Sequence, residues 1–165
     1  MTRLTTTLGA ITLAAIAAGC GSSNTPTTPS NTVVYTVNLL PSNETPPITN
    51  SENVGRGTAV ITIHKDTNQV DFAVSVNSFP AGSSLTVAHI HGPNAPAGVA
   101  ASPFINTNMN AGNAPAIVNG SATITINGVV ATADQISQVV ASPSQFYFNV
   151  HTALNPGGVM RGQLQ

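Results

Sequence analysis

Apolar and polar residues alternate along much of the chain, in the pattern of β-strands that bury one face. The clearest case is 70–76, where Val70, Phe72, Val74 and Val76 alternate with polar or small residues. A period of two is the spacing of side chains that share one face of a strand. Runs rich in β-branched and aromatic residues, bounded by Gly, Pro and Asn clusters, complete the series. The pattern predicts strands at 33–40, 58–64, 70–76, 85–91, 122–126, 146–152 and 159–164.

Only one segment of the sequence has the pattern of a helix. The one candidate helix is 132–140, where Thr132 or Asp134 can cap the first turn. Short strands separated by turn residues are typical of antiparallel sandwiches and barrels. The sequence therefore predicts an all-β domain with at most one short helix.

The first residues of the chain have the features of a secretory signal. Arg3 supplies a positive charge, and the apolar run at 8–18 is shorter than the roughly 20 residues that a membrane-spanning helix needs. Small residues lead into Cys20, the only cysteine. This resembles a bacterial lipobox in which Ala17 replaces the usual Leu. We expect 1–19 to be a lipoprotein signal peptide that leaves Cys20 lipidated; an ordinary signal peptide with an incidental cysteine is the alternative.

The segment after Cys20 predicts a tether. Residues 21–32 are mostly Ser, Thr, Asn and Pro, with no apolar pattern whose burial could offset the entropy lost on ordering. We therefore interpret 20–32 as a lipidated cysteine with a flexible tether, and 33–165 as one folded domain. The expected location is the bacterial cell envelope, after export, with the lipid anchor as the contact with the membrane.

Charge is scarce in this chain, and that excludes several classes of function. Only 5% of the residues are charged: Lys and Arg number 4, Asp and Glu number 5, and the net charge is −1. Phosphate neutralisation requires clustered cations, so we expect no nucleic-acid partner. The sequence also lacks a G-x-S-x-G nucleophile turn and a phosphate-binding glycine loop.

Three of the four histidines suggest a metal site. His89 and His91 form an H-x-H pair, and on a strand both rings point to the same face, with their roots about 6 to 7 Å apart. His151 ends another predicted strand and can supply a third ligand. Imidazole-rich sites suit copper or zinc better than calcium or magnesium.

Two other interpretations of these histidines stay open. Each ring can instead bridge loops by hydrogen bonds to backbone groups or to an amide such as Asn149. Acid–base catalysis is the other alternative. His64, next to Lys65 and Asp66, is expected to be an exposed turn residue.

Two charged residues are candidates for a structural ion pair. Glu44 lies in a loop that Pro46 and Pro47 hold extended, and Arg161 lies on the last predicted strand. A buried charge requires a partner. We expect Glu44 and Arg161 to pair and to tie the first loop to the final strand; two solvated surface charges are the alternative.

Four segments of the sequence resemble the CHRD, or chordin, domain in order and spacing. They are LLPSNETPP at 39–47, VAHIHGPNAPAG at 87–98, the strand at 146–150 and HTALNPGGVMRGQL at 151–164. The resemblance implies an extracellular β-rich module with no established enzymatic activity.

A fainter similarity is to copper/zinc superoxide dismutases. In that comparison His89 and His91 match a pair of copper ligands, His151 matches a later ligand, and Arg161 follows as a guiding arginine does. The zinc-ligand cluster and the disulfide of those enzymes have no counterpart here. The resemblances imply an antiparallel Greek-key sandwich, either immunoglobulin-like or dismutase-like.

Three hypotheses about function follow from the sequence. The first is a lipid-anchored, non-catalytic CHRD module with a three-histidine copper or zinc site. The second is a copper oxidoreductase of dismutase type that uses the same rings. The third is an adhesin module that binds a protein or glycan through exposed loops such as 111–115.

Overall fold

Eight strands and one α-helix form the part of the chain that the computed structural model describes, residues 31–165. The predicted signal peptide, Cys20 and most of the predicted tether lie outside the described residues. The elements are β1 (Thr32–Leu39), β2 (Arg56–His64), β3 (Gln69–Asn77), β4 (Leu85–His91), β5 (Pro103–Asn106), β6 (Ala122–Val130), α1 (Ala133–Ala141), β7 (Tyr147–Thr152) and β8 (Met160–Gln163).

The strands form two four-stranded antiparallel sheets. The first sheet has the order β1-β2-β3-β6, and the second has the order β5-β4-β7-β8. β6 lies beside β3 and β7 beside β4, so the chain crosses between the sheets and returns next to an earlier strand, as Greek-key connections do. The predicted all-β sandwich with one short helix is confirmed.

The core lies between the two sheets. Buried and exposed residues alternate along β1, β2 and β3, so each strand of the first sheet contributes one apolar face. Phe72 of β3 stacks against Phe148 of β7 across the sandwich, with ring centroids 5.6 Å apart. Every residue of β7 is buried, which means that this strand is covered on both faces.

A seam joins the two sheets at β1 and β8. Leu40, just after β1, forms a bridge with Arg161 of β8 through two backbone hydrogen bonds of 3.1 and 3.3 Å. The strands approach so closely here that a Cβ on Gly162 would overlap the Asn38 carbonyl oxygen. Glycine is therefore required at position 162 by space.

The sequence predicted the helix well and one strand not at all. Thr132 caps α1 in a reciprocal pair: its hydroxyl accepts from the Gln135 backbone N–H, and the Gln135 side chain accepts from the Thr132 N–H. β5 is too short to show alternation, and β6 continues four residues beyond the predicted end at 126. Within residues 31–165, no helix has the length and apolar character needed to cross a membrane.

Candidate metal site

Strand pairing brings the three predicted histidines together. β4 pairs with β7 so that His89 lies opposite Asn149 and His91 opposite Tyr147. Ala88, Ile90, Phe148 and Val150 belong to the core, so alternation directs the histidines to the outward face of the second sheet. One ring nitrogen from each of His89, His91 and His151 lies within 4.8 Å of the other two. The three rings can therefore hold a metal ion.

Backbone carbonyls fix the tautomers of two of these rings. The Nδ1 atom of His91 is 2.8 Å from the Ala101 oxygen, and the Nδ1 atom of His151 is 2.8 Å from the Pro156 oxygen. A carbonyl only accepts, so each Nδ1 carries a proton and, in the neutral ring, each Nε2 keeps its lone pair. These lone pairs are available to a cation.

The Nε2 atom of His91 is buried and makes no hydrogen bond. Buried polar atoms nearly always have a partner, and an exception needs an explanation. The Nδ1 atom of His89 lies 3.3 Å from the Nε2 atom of His151. Two nitrogens bound to one ion at about 2.0 to 2.1 Å in tetrahedral geometry would be about 3.3 Å apart.

Burial keeps the rings in the form that binds metal. His91 and His151 are 6% and 5% exposed. Loss of solvent, aided by the neighbouring rings of His151 and His91, lowers the pKa of His89 to about 4. Burial also lowers the pKa values of His91 and His151. All three imidazoles are thus neutral at pH 7, and a cation does not have to displace protons from them.

An aromatic stack supports the cluster on one side. The His91 ring lies parallel to Tyr147, with centroids 4.7 Å apart and an interplanar angle of 4°. The Arg161 guanidinium lies 4.3 Å from the centroid of the Tyr147 ring, in the range of a cation–π contact. Tyr147 therefore links a candidate ligand to the buried arginine.

Arg161 and Glu44 are buried side by side beneath the loops. Arg161 Nε donates to the Asn43 carbonyl at 2.5 Å, Nη1 donates to the Val99 carbonyl at 3.1 Å, and Nη2 donates to the Thr45 hydroxyl. Its distance to Glu44 Oε2 is 3.9 Å, so attraction between the charges is present without a hydrogen bond between them. Arg161 is thus primarily a bridge between two loops.

The Glu44 carboxyl has too few hydrogen-bond partners for a buried charge. Burial raises its pKa to about 7, and this outweighs the opposing effects of Arg161 and Asn149. Its Oε1 atom makes no hydrogen bond. A Cβ on Gly158 would lie 2.7 Å from both Glu44 Oε1 and Asn149 Nδ2, so both side chains lie directly against the glycine. The loop after β1 therefore places a buried carboxyl beside the histidine-bearing strand of the second sheet.

A second buried carboxylate, Glu52, was missed by the sequence analysis. Its Oε2 atom accepts from the Thr152 hydroxyl at 2.5 Å and from Asn155 Nδ2 at 2.6 Å. These bonds hold the turn that follows His151 and that contains its partner Pro156. Glu52 lies in a short 3-10 segment among exposed polar residues, so no local pattern distinguishes it. Tyr147 was also missed, although it alternates with Asn149 and His151 on one face.

His64 lies away from the cluster, at the end of β2. It is not an exposed turn residue: its Nε2 atom is 2.9 Å from Asp71 Oδ2, and both side chains are 33% exposed. The cause is the pairing of β2 with β3, which brings the end of β2 close to the beginning of β3.

Comparison with known proteins identifies the family. No curated protein and no solved structure matches the chain significantly. The family model of the CHRD domain matches residues 35–164, which includes both sheets and all three clustered histidines. The chain therefore belongs to the CHRD-domain family.

Proposed function

We propose that this protein is a non-catalytic CHRD module of the bacterial cell envelope that holds a copper or zinc ion with His89, His91 and His151. The observation that carries the proposal is that one nitrogen from each of three neutral rings lies within 4.8 Å of the other two, while the buried Nε2 atom of His91 has no hydrogen-bond partner. A cation in the cluster would satisfy it. Imidazole ligands without carboxylates favour copper or zinc over the harder cations.

Hydrogen bonds to the loops support a structural contribution by the same residues. His91 and His151 each tie a covering loop to the sheet through a carbonyl group. In metal sites, the ring nitrogen that does not bind the ion usually donates in this way and thereby orients the ring. The loop contacts and a bound ion would therefore use opposite nitrogens of these two rings and are compatible, whereas the contact between His151 Nε2 and Asn149 Oδ1 at 3.0 Å uses the nitrogen that would bind the ion.

Metal titration tests the proposal. The purified protein is stripped with a chelator and titrated separately with Zn²⁺, Cu²⁺ and, under reductant, Cu⁺. We expect one ion per chain and at least a hundredfold loss of affinity in His91→Ala. His64→Ala is the matched control, because His64 lies in the other sheet and should leave affinity unchanged. Absence of saturable one-to-one binding would overturn the proposal.

A dismutation assay on the copper-loaded protein separates a holding site from a copper oxidoreductase. We favour the holding site because two of the three rings, His91 and His151, are only 6% and 5% exposed, which limits the approach of a substrate to the side of the half-buried His89. Superoxide turnover that is lost with His91→Ala would establish the enzyme instead. No particular surface of the described residues favours the adhesin hypothesis.

We further propose that Cys20 carries the lipid anchor. The supporting feature is the apolar segment that leads through small residues into a single cysteine. Cys20→Ser should move the protein from the membrane fraction to the soluble exported fraction and abolish incorporation of a labelled fatty acid. Unchanged fractionation of the variant would contradict lipidation.

A further inference from the structure

The side-chain amide of Asn149 lies between the histidine cluster and Glu44. Its Oδ1 atom is 3.0 Å from His151 Nε2, and its side chain is also a hydrogen-bond partner of the Glu44 carboxyl. Asn149 is 1% exposed, so water cannot substitute for either contact. The Asn149 amide has one oxygen and one NH₂ group. If the oxygen faces the His151 ring, the NH₂ group faces the Glu44 carboxyl, and the reverse also holds.

The hydrogen-bonding roles around His151 conflict when its ring is neutral and no ion is bound. Nδ1 carries the ring proton because it faces the Pro156 carbonyl at 2.8 Å. Nε2 then has a lone pair that faces the amide oxygen, another acceptor, and two acceptors repel each other. The conflict ends if the amide turns over, if Nε2 is protonated, or if a cation binds Nε2.

Each of these states requires a different state of Glu44. An amide that turns its NH₂ group to the ring presents its oxygen to Glu44, which suits a protonated carboxyl that can donate. An amide that keeps its oxygen near a ring-bound cation presents NH₂ to Glu44, which suits an ionised carboxylate. Protonation of the ring is opposed by its burial, which lowers the pKa of His151.

On the basis of the proposed metal site, we propose that Asn149 and Glu44 are positioning residues behind His151 and that cation binding at the three rings releases a proton from Glu44. The buried carboxylate then supplies the negative charge that offsets the ion. The proton goes to solvent, no covalent bond other than the O–H bond breaks, and no electron is transferred.

The charges around Glu44 make such compensation necessary. Arg161 of β8 faces Glu44 at 3.9 Å, and His151 of β7 faces it across Asn149. Tyr147 and His91 stack beyond Arg161. A divalent ion among neutral rings would thus add positive charge near a buried guanidinium, and Glu44 is the one acidic side chain that the described contacts place between them.

Counting protons during metal binding tests this inference. Zn²⁺ is titrated into the metal-free full chain at pH 6.5 by calorimetry in two buffers of different ionisation enthalpy. Burial raises the pKa of Glu44 to about 7 and keeps the histidines neutral, so we expect release of roughly half to one proton. In Glu44→Gln we expect almost no release and an affinity about tenfold lower.

Asp71→Asn is the control, because Asp71 is a carboxylate of the first sheet that contacts His64 and the Gly128 N–H and lies outside this contact chain. It should release the same number of protons as the unaltered protein. If a variant does not fold, the carboxyl ¹³C shift of Glu44 in the unaltered protein provides the same answer, since it should change to the ionised value on Zn²⁺ addition. Equal proton release with and without Glu44, or an unchanged ¹³C shift despite bound Zn²⁺, would overturn this inference alone. No Zn²⁺ binding would overturn both this inference and the metal site.

Discussion

The outward faces of the two sheets have similar polarity in sequence but opposite surroundings in the structure. On the first sheet, Thr36, Thr58 and Ser75 are exposed to solvent. On the second sheet, Asn149 and Arg161 are 1% and 3% exposed because loops cover them. Polar residues on the first face hydrogen-bond to water, whereas those on the second face depend on partners supplied by the protein.

This difference shows where a substitution should matter. Polar groups that have lost water are destabilising unless they are paired, and removal of one partner leaves the other unsatisfied. The second face is therefore the less tolerant region, and it is next to the two groups with the largest pKa shifts, Glu44 and His89, a combination that is typical of functional sites.

The largest effect is expected for Arg161→Met. The change removes the donors to the Asn43 and Val99 carbonyls and leaves Glu44 without its charge partner. Breaking a buried ion pair commonly costs about 3 to 5 kcal/mol, which urea unfolding measures. Arg56→Met, at an exposed position of β2, should change the free energy of unfolding by less than about 1 kcal/mol. Similar losses in the two variants would contradict the comparison.

A smaller effect concerns Glu44 as the pH rises from 4.5 towards neutrality. Burial raises its pKa from 4.5 to about 7, so the folded state holds the proton more tightly than the unfolded state does. Stability is therefore highest below the unfolded value and is lost as the pH rises through 7. We expect the metal-free protein to lose about 2 to 3 kcal/mol between pH 4.5 and 8 relative to Glu44→Gln. Parallel pH curves for the two proteins would refute this.

Acid should act in the opposite direction through the histidines. The pKa of His89 falls from 6.5 to about 4 on folding, so the unfolded state binds the proton more readily. Stability from this ring is present above pH 6.5 and is lost as the pH falls towards 4. Between pH 7 and pH 4, the free energy of unfolding of the unaltered protein should fall by about 1 to 2 kcal/mol more than that of His89→Asn, because partial exposure of the ring weakens the effect. Thermal unfolding at pH 7, 5.5 and 4 provides the measurement.

The smallest effect is expected on the first face. Val60→Thr alters a side chain that is 37% exposed, and threonine suits a strand equally well. The free energy of unfolding should change by about 0.5 kcal/mol or less. A loss above 2 kcal/mol would indicate that this face is also covered, for example by a second copy of the chain, and sedimentation velocity would detect that copy.

Local sequence patterns correctly predicted the strands in which apolar and polar residues alternate, because that alternation alone shows which face is buried. The period of two around Phe72 identified β3, and Thr132 identified the start of α1. β5 was not predicted, because Pro103–Asn106 acquires strand geometry from pairing with β4 rather than from its own sequence.

The site was predictable as a set of residues but not as a structure. H-x-H spacing placed His89 and His91 on one face, yet their meeting with His151 depends on which strands are neighbours. The burial of Asn149 could not be predicted, since the loops that cover it come from distant parts of the chain. The alternation of polar and apolar residues is the same whether the polar face of a strand is exposed to solvent or covered by loops.

The pairing of β4 with β7 has one further consequence. These strands are adjacent although 62 residues separate His89 from His151. An ion held by both would close that stretch into a ring and restrict the unfolded chain as a cross-link does. A ring of this size corresponds to stabilisation on the order of 4 kcal/mol by loop entropy. A domain without internal disulfides would thereby gain a reversible cross-link that is lost when the metal is removed.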